Sequence, residues 1–281
     1  MERNDRRRDR MGFRTAYGMA LVLTTSAGCH PRPQITPLPA LPLTAAVAVV
    51  NDNAARIGGA LRAIGPVDGV ARLENGRRVA FTLDGTLFFL APRFVRFDLK
   101  RFGDRKLLIG SNATHFWYLD AENEVRYCGR HDDTEPSPEQ AIPIPPEQLV
   151  DALGISPIPT SADAGEARLV QRVEDEYQQV LWISDREGRS TLHKEYWLDR
   201  RAPRLVRRVV FRDEHGVVQM ESRLEDYKPL SPHGPLLPHE MTAHWPATES
   251  QLRFRVSRWT LHTDIGPDGV QFAPPSDCGT D

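Results

Sequence analysis

Val95-Arg96-Phe97-Asp98-Leu99-Lys100 alternates apolar and charged residues over six positions. This is the pattern of a strand with one face buried and the other wet. Leu252-Arg253-Phe254-Arg255-Val256-Ser257 repeats it near the other end of the chain. Between and around these runs, turn signals stand at Asn75-Gly76, Asp84-Gly85, Gly110-Ser111-Asn112, Glu122-Asn123, Glu187-Gly188 and His215-Gly216. Their spacing predicts short antiparallel strands joined by hairpins, in a sandwich or barrel. The chain is therefore expected to be mainly β.

Two stretches follow a different period. Leu43, Val47, Val50, Ala54, Ile57, Leu61 and Ile64 recur at intervals of four and three, which predicts one amphipathic helix ending near Gly65-Pro66. After His131 a proline-rich segment leads into Pro145-Pro146-Glu147, then Leu149, Val150, Leu153 and Gly154. Prolines at the start and a glycine at the end mark a second, short helix. One group of strands thus follows a helix, and a helical insertion separates it from a second group.

The ordered residues resemble a known family. Gly85-Thr86-Leu87, Pro92, Phe94, Gly110 and Phe116-Trp117-Tyr118 in the first half look like that family's run of glycine, strand, proline, aromatic strand, turn and tryptophan strand. Trp197-Leu198-Asp199, Pro203, Leu205 to Phe211, Asp213 to Gly216, Asp226-Tyr227, Leu237-Pro238 and Leu252 to Val256 look like the second half. The order is similar to that of the carrier and receptor proteins of bacterial lipoprotein sorting, LolA and LolB, over residues 43–263. The resemblance implies an incomplete antiparallel β-barrel, a curved sheet whose concave face is covered by the N-terminal amphipathic helix and the short central helix. In the soluble carrier an arginine before the proline latches the lid, and here that place is Ala91. The carrier's latch therefore does not transfer.

The N-terminus supplies an address. Arg3, Arg6, Arg7, Arg8, Arg10 and Arg14 precede an apolar run from Ala16 to Leu23 and the small residues Ser26, Ala27 and Gly28. That is the layout of a secretory signal over residues 1–28. The apolar run is much shorter than the ~20 residues of a spanning helix. Ala27-Gly28-Cys29 resembles a lipobox, which implies acylation at Cys29, although Ser26 stands where a leucine is usual. An ordinary secretory signal with an incidental Cys29 is the alternative. Residues 29–42, with five prolines from Pro31 to Pro42, are expected to form an extended, lipid-anchored tether. His30 is not the aspartate that retains some lipoproteins in the inner membrane, which points to an outer-membrane location facing the periplasm.

Composition narrows the functional classes. The whole chain has 36 basic and 38 acidic residues, and without its arginine-rich leader its net charge is about −5, which gives no support for nucleic-acid binding. Cys128 and Cys278 remain once Cys29 is assigned to the anchor. Export would permit a disulfide, but Cys278 lies in the polar stretch from Pro274 to Asp281 at the end of the C-terminal tail, residues 264–281, and the two are read as unrelated thiols.

The sequence carries no recognisable catalytic constellation. His239-Glu240-Met241-Thr242-Ala243-His244 has one residue too many for a zinc-protease helix, and strand placement sends His239 and His244 to opposite sides. His131-Asp132-Asp133 reads as a solvated acidic loop. Neither a Walker loop nor a G-x-S-x-G elbow occurs, and nothing designates a base for Ser111. The basic run Arg200, Arg201, Arg204, Arg207 and Arg208 reads as the wet face of a strand rather than a headgroup site.

The expected function is non-catalytic binding of a lipid or acyl chains by an anchored envelope lipoprotein, with other lipoproteins as partners and no cofactor or metal. Val95, Phe97, Leu99, Trp197, Leu252, Phe254 and Val256 are the candidate cavity lining. Leu43, Val47, Val50, Ile57 and Leu61 are the candidate lid-helix residues. A structural or sensory interaction module of the same fold is the rival reading, and an envelope hydrolase a further one.

Overall fold

A computed structural model describes residues 38–72, 76–131, 146–160, 167–186, 189–276 and 278. The leader, Cys29, most of the spacer, the acidic loop after His131 and Glu187-Gly188 lie outside the described residues. In chain order, α1 (Leu43–Ala55) precedes β1 (Ala60–Arg72), β2 (Arg78–Leu90), β3 (Phe94–Arg101), β4 (Asp104–Ser111), β5 (His115–Asp120) and β6 (Val125–Arg130). Then come α2 (Pro146–Ala152), β7 (Ala167–Val173), β8 (Tyr177–Arg186), β9 (Arg189–Asp199), β10 (Val206–Arg212), β11 (Val218–Pro229), β12 (Leu236–Trp245), β13 (Ser250–Arg255) and β14 (Arg258–His262).

All fourteen strands join one antiparallel sheet, in the order β6-β5-β4-β3-β2-β1-β13-β12-β11-β10-β9-β8-β7, with β14 paired to the first part of β1. The ends β6 and β7 do not pair, so the curved sheet is an incomplete barrel, as the resemblance implied. Each half is a meander of hairpins, and the halves meet where β1 pairs with β13 and β14.

Strand alternation assigns the faces. Val95, Phe97 and Leu99 of β3 are buried in the main apolar cluster, together with Leu87 and Phe89 of β2, Tyr196 and Leu198 of β9, Met241 of β12 and Phe254 of β13. Ala46, Val47 and Val50 of α1 and Val150 and Ala152 of α2 complete the same cluster. Both helices therefore cover the apolar face of the sheet. Among the described residues, no helix is long and apolar enough to cross a membrane.

The first helix is shorter than its periodicity predicts. It ends at Ala55, so Ile57 lies in the following turn and Leu61 and Ile64 lie in β1. Gly58 and Gly59 follow, each costing a helix about 1 kcal/mol relative to alanine. At Gly59 a Cβ would stand 2.5 Å from the His262 carbonyl oxygen, so the incoming β14 requires glycine there. A four-residue interval between apolar residues fits both periods, and the inward set Leu61, Ala63 and Val67 in fact alternates by two.

The C-terminal tail and its cysteine also depart from expectation. Cys128 of β6 and Cys278 form a disulfide across 150 residues. Cys278 packs with Leu108 and Trp117 as a second apolar cluster, on the face opposite to Ile109 and Tyr118. A short 3-10 helix at Val270–Phe272 buries Phe272. Its ring meets that of Phe94 edge-on at 5.6 Å, and Asn112 Nδ2 donates to the Phe272 carbonyl at 3.1 Å. A polar tail suggested solvent exposure, whereas one phenylalanine and one cysteine are enough to dock it.

The basic run is wired into the fold. Arg200 donates to the carbonyls of Leu38, Glu174 and Asp175, and Arg204 to that of Pro39. Gln178 both accepts from the Leu41 N–H at 3.0 Å and donates to its carbonyl at 2.8 Å. The last residues of the proline-rich segment are thereby held against β7, β8 and β9.

Candidate ligand-binding cleft

The apolar face is concave where α2 lies over β2, β3, β11, β12 and β13. Leu149, Ala152 and Leu153 face Leu87, Phe97, Met241, Ala243, Leu252 and Phe254, with Ser222 as the polar member of the lining. The Phe97 and Phe254 rings pack at 5.2 Å between centroids. The space left between helix and sheet is about 30 Å³, close to the share of one water molecule in the liquid. Small-molecule pockets commonly hold ~300–1,000 Å³. α2 occupies the concavity itself.

Among the described residues, few polar contacts fasten α2. Ser222 Oγ donates to the Ala152 carbonyl at 2.7 Å, and Ser156 Oγ to the Val150 carbonyl at 3.3 Å. Gly154 follows the helix at φ +62°, the left-handed position where glycine ends helices at least cost. An ion pair joins Asp151 of α2 to Lys194 of β9. Lys194 Nζ also lies over the rings of Trp182, Tyr196 and Phe211, at 5.4, 5.8 and 5.3 Å from their centroids. Burial, reinforced by the Asp151 charge, pushes the Tyr196 phenol far above its ordinary value.

The sequence-predicted residues divide among several places. Phe97, Leu252 and Phe254 line the cleft. Val95, Leu99 and Val256 are buried in the same cluster but do not border the cleft. Trp197 lies on the other face of β9. Its indole N–H donates to Glu195, the Arg208 guanidinium stacks 4.5 Å over its ring, and Tyr177 meets it edge-on. Of the lid candidates, Leu43, Val47 and Val50 are in α1, whereas Ile57 and Leu61 are not.

Lys194, Asp151, Tyr196 and Met241 were not singled out from sequence. A signal for Lys194 was present, because Leu192, Lys194, Tyr196 and Leu198 alternate and place the lysine inward. Asp151 had no such mark, since a charged residue in a seven-residue helix is usually solvated.

Two serine–histidine contacts occur elsewhere. Ser184 Oγ and His193 Nε2 are 2.6 Å apart, and Ser111 Oγ and His131 Nε2 are 3.0 Å apart. None of these four residues lines the cleft. Strand β12 sends His239, whose Nδ1 lies 3.0 Å from the Val256 carbonyl oxygen, and the exposed His244 to opposite faces. Among the described residues no group of three or more metal-ligating side chains converges.

No protein-family profile and no curated protein sequence matches the chain. Solved structures do. A putative outer membrane lipoprotein-sorting protein domain from Vibrio parahaemolyticus is 12% identical, over 78% of this chain and 93% of that one, with a TM-score of 0.46. A DUF1329 family protein from Desulfovibrio piger is 10% identical, over 81% and 96%, with a TM-score of 0.49. A LolA superfamily protein from Nitrosomonas europaea is 11% identical, over 81% of this chain and 97% of that one, and likewise scores 0.49.

Proposed function

We propose that the chain is a divergent LolA-like envelope lipoprotein that binds acyl chains of a lipid or lipoprotein on the concave face of its sheet after α2 swings outward. The observation that carries this reading is the cleft lining, nine apolar residues and one serine converging from α2 and five strands. α2 and the residues after it are held by Ser222, by the Asp151–Lys194 ion pair and by the buried Val150, Ala152, Leu153, Ile155 and Ile158, and entry of an alkyl chain has to replace that apolar packing with its own. The exposed concavity would then be an apolar trough suited to alkyl chains.

The address is part of the proposal. Acylation at Cys29 would anchor the domain to a membrane, with the outer membrane facing the periplasm as the site. Two or more acyl chains give durable attachment where one does not, at about 0.8 kcal/mol per buried methylene. An anchored domain without the carrier's arginine latch suits a fixed acceptor better than a shuttle.

The nearly filled interior favours one other reading, an interaction module of the cell envelope that uses its outer surface and holds no ligand. Native mass spectrometry of the exported chain, with lipid extraction, separates the two. Co-purifying lipid or uptake of a fluorescent fatty acid is expected. Neither, in a folded sample, would leave the interaction module standing. Cys29→Ala should release the protein from the membrane fraction, and unchanged membrane association would remove the anchor.

A further inference from the structure

Within that acyl-binding reading, we propose that Lys194 and Tyr196 form an anion-binding site for the headgroup of an amphiphile, and that the Asp151 carboxylate occupies this site in the closed form. The ligand class is a single- or double-chain lipid carrying a carboxylate or phosphate.

The placement of Lys194 is the first argument. A lysine on the inward face of a sheet loses hydration, and such a charge is retained only where it is paired. Its side chain is 19% exposed and its carboxylate partner is Asp151, which belongs to the element covering the cleft. The surrounding rings of Trp182, Tyr196 and Phe211 offer their negative faces to the ammonium. They hold the cation in place but cannot neutralise it. Once α2 leaves, Lys194 is a positive charge at the edge of an apolar trough.

The Tyr196 hydroxyl is buried, with the residue 3% exposed, and it has no hydrogen-bond partner among the described residues. A buried hydroxyl without a partner costs on the order of 1–3 kcal/mol, so such groups are rare without a reason. Asp151 accepts from Lys194 and not from this hydroxyl. The phenol O–H and the ammonium are two donors from neighbouring inward positions of β9, and the Asp151 carboxylate is paired with the ammonium alone. A phosphate or carboxylate free to shift could accept from both, whereas Asp151 is constrained by its helix.

The geometry of α2 links headgroup and chain. Leu149, Ala152 and Leu153 fill the trough beside Phe97, Met241 and Phe254, while Asp151 reaches Lys194. One movement of α2 would therefore vacate both the chain site and the headgroup site. An entering amphiphile replaces the apolar face of α2 with its tail and Asp151 with its head.

The test uses the exported chain carrying Cys29→Ala, with displacement of a fluorescent fatty acid by oleate, oleyl alcohol, dioleoyl phosphatidate and dioleoylglycerol. Wild type should prefer each anionic lipid over its neutral counterpart. Lys194→Met should weaken oleate binding about tenfold and leave oleyl alcohol unchanged, and Lys194→Arg should restore the preference. Asp151→Asn should strengthen oleate binding about tenfold, because the competing carboxylate is gone. Oleate outcompeting phosphatidate, or the reverse, identifies the headgroup and supports the site either way. An unchanged oleate-to-alcohol ratio in Lys194→Met overturns it, as does unchanged or weaker oleate binding in Asp151→Asn should the first variant fail to fold. No uptake of any probe by wild type or Asp151→Asn overturns the acyl-binding reading itself.

Discussion

Asn53 of α1 engages both backbone groups of Leu236 in β12: its Nδ2 donates to the Leu236 carbonyl at 3.0 Å, and its Oδ1 accepts from the Leu236 N–H at 2.8 Å. Asn51 repeats the arrangement with Ile158, at 3.0 and 2.7 Å. Each carboxamide imitates a strand neighbour for backbone that has none. Together they place α1 over the second half of the sheet and over the segment following α2.

Asn53→Ala should therefore cost more than an average surface change. It leaves the Leu236 N–H and carbonyl without their partners, worth about 1–3 kcal/mol. Urea unfolding would show a lower midpoint with an unchanged slope. Asn53→Asp retains the acceptor but turns an oxygen toward the Leu236 carbonyl, and should be at least as destabilising.

The disulfide makes a second prediction. A closure spanning 150 residues restricts the unfolded chain, and bonds of this kind contribute about 2–5 kcal/mol. Melting with and without reductant should differ by several degrees in wild type and not at all in Cys128→Ser/Cys278→Ser. An identical wild-type melt in both conditions would show that the pair carries no stability.

Trp117 lies across from Gly110 in the β4–β5 register, and a Cβ on Gly110 would stand 2.2 Å from the indole. The ring covers the glycine and is itself covered by the docked tail. Gly110→Ala should displace the indole, cost about 1–3 kcal/mol and change tryptophan emission. Gly76→Ala meets no neighbouring atom, and as a φ +78° position it should lose stability without a spectral change.

Asp199 provides a pH dependence. Burial raises its carboxyl, but hydrogen bonds from Arg201 and the charges of Arg201 and Arg207 outweigh this and leave it below the ordinary aspartate value. A depressed folded value contributes stability that is complete above the unfolded value of about 3.9. That contribution disappears as pH falls through the lower folded value. Asp199→Asn should thus lower the urea midpoint at pH 7 and converge with wild type in strong acid. An equal deficit at both pH values would mean that shape, not charge, is what Asp199 contributes.

The sheet was readable because β3 and β13 set charged residues between their apolar ones, so a period of two survives in the sequence even where Asp98 is buried in its ion pair with Arg105. The central helix was readable because proline and glycine delimit it. Ile57 and Leu61 misled because a four-residue interval suits either period, and only the approach of β14 to Gly59 decides between them. That approach joins residues some 200 apart. The same limit applies to the cleft. Phe97 and Phe254 could be named as inward residues, but how completely α2 fills the space above them is a matter of volume, which periodicity does not encode. Trp197 was named from its place in the ordered motif, and its neighbours Glu195 and Asp199 carry the contrary sign, two acidic residues of the same parity.

The pairing of β1 with β13 and β14 has a consequence for assembly of the fold. Among the described strands, every other pairing joins neighbours in the sequence, so each meander can form by local hairpins. The β1 seam instead closes a loop that contains nearly the whole domain, and it joins the two halves of the sheet. Formation of the seam should be the slow step of folding, with two partly built meanders preceding it. Until then α2 has no complete concavity to enter, so the apolar face of the sheet is exposed before α2 covers it.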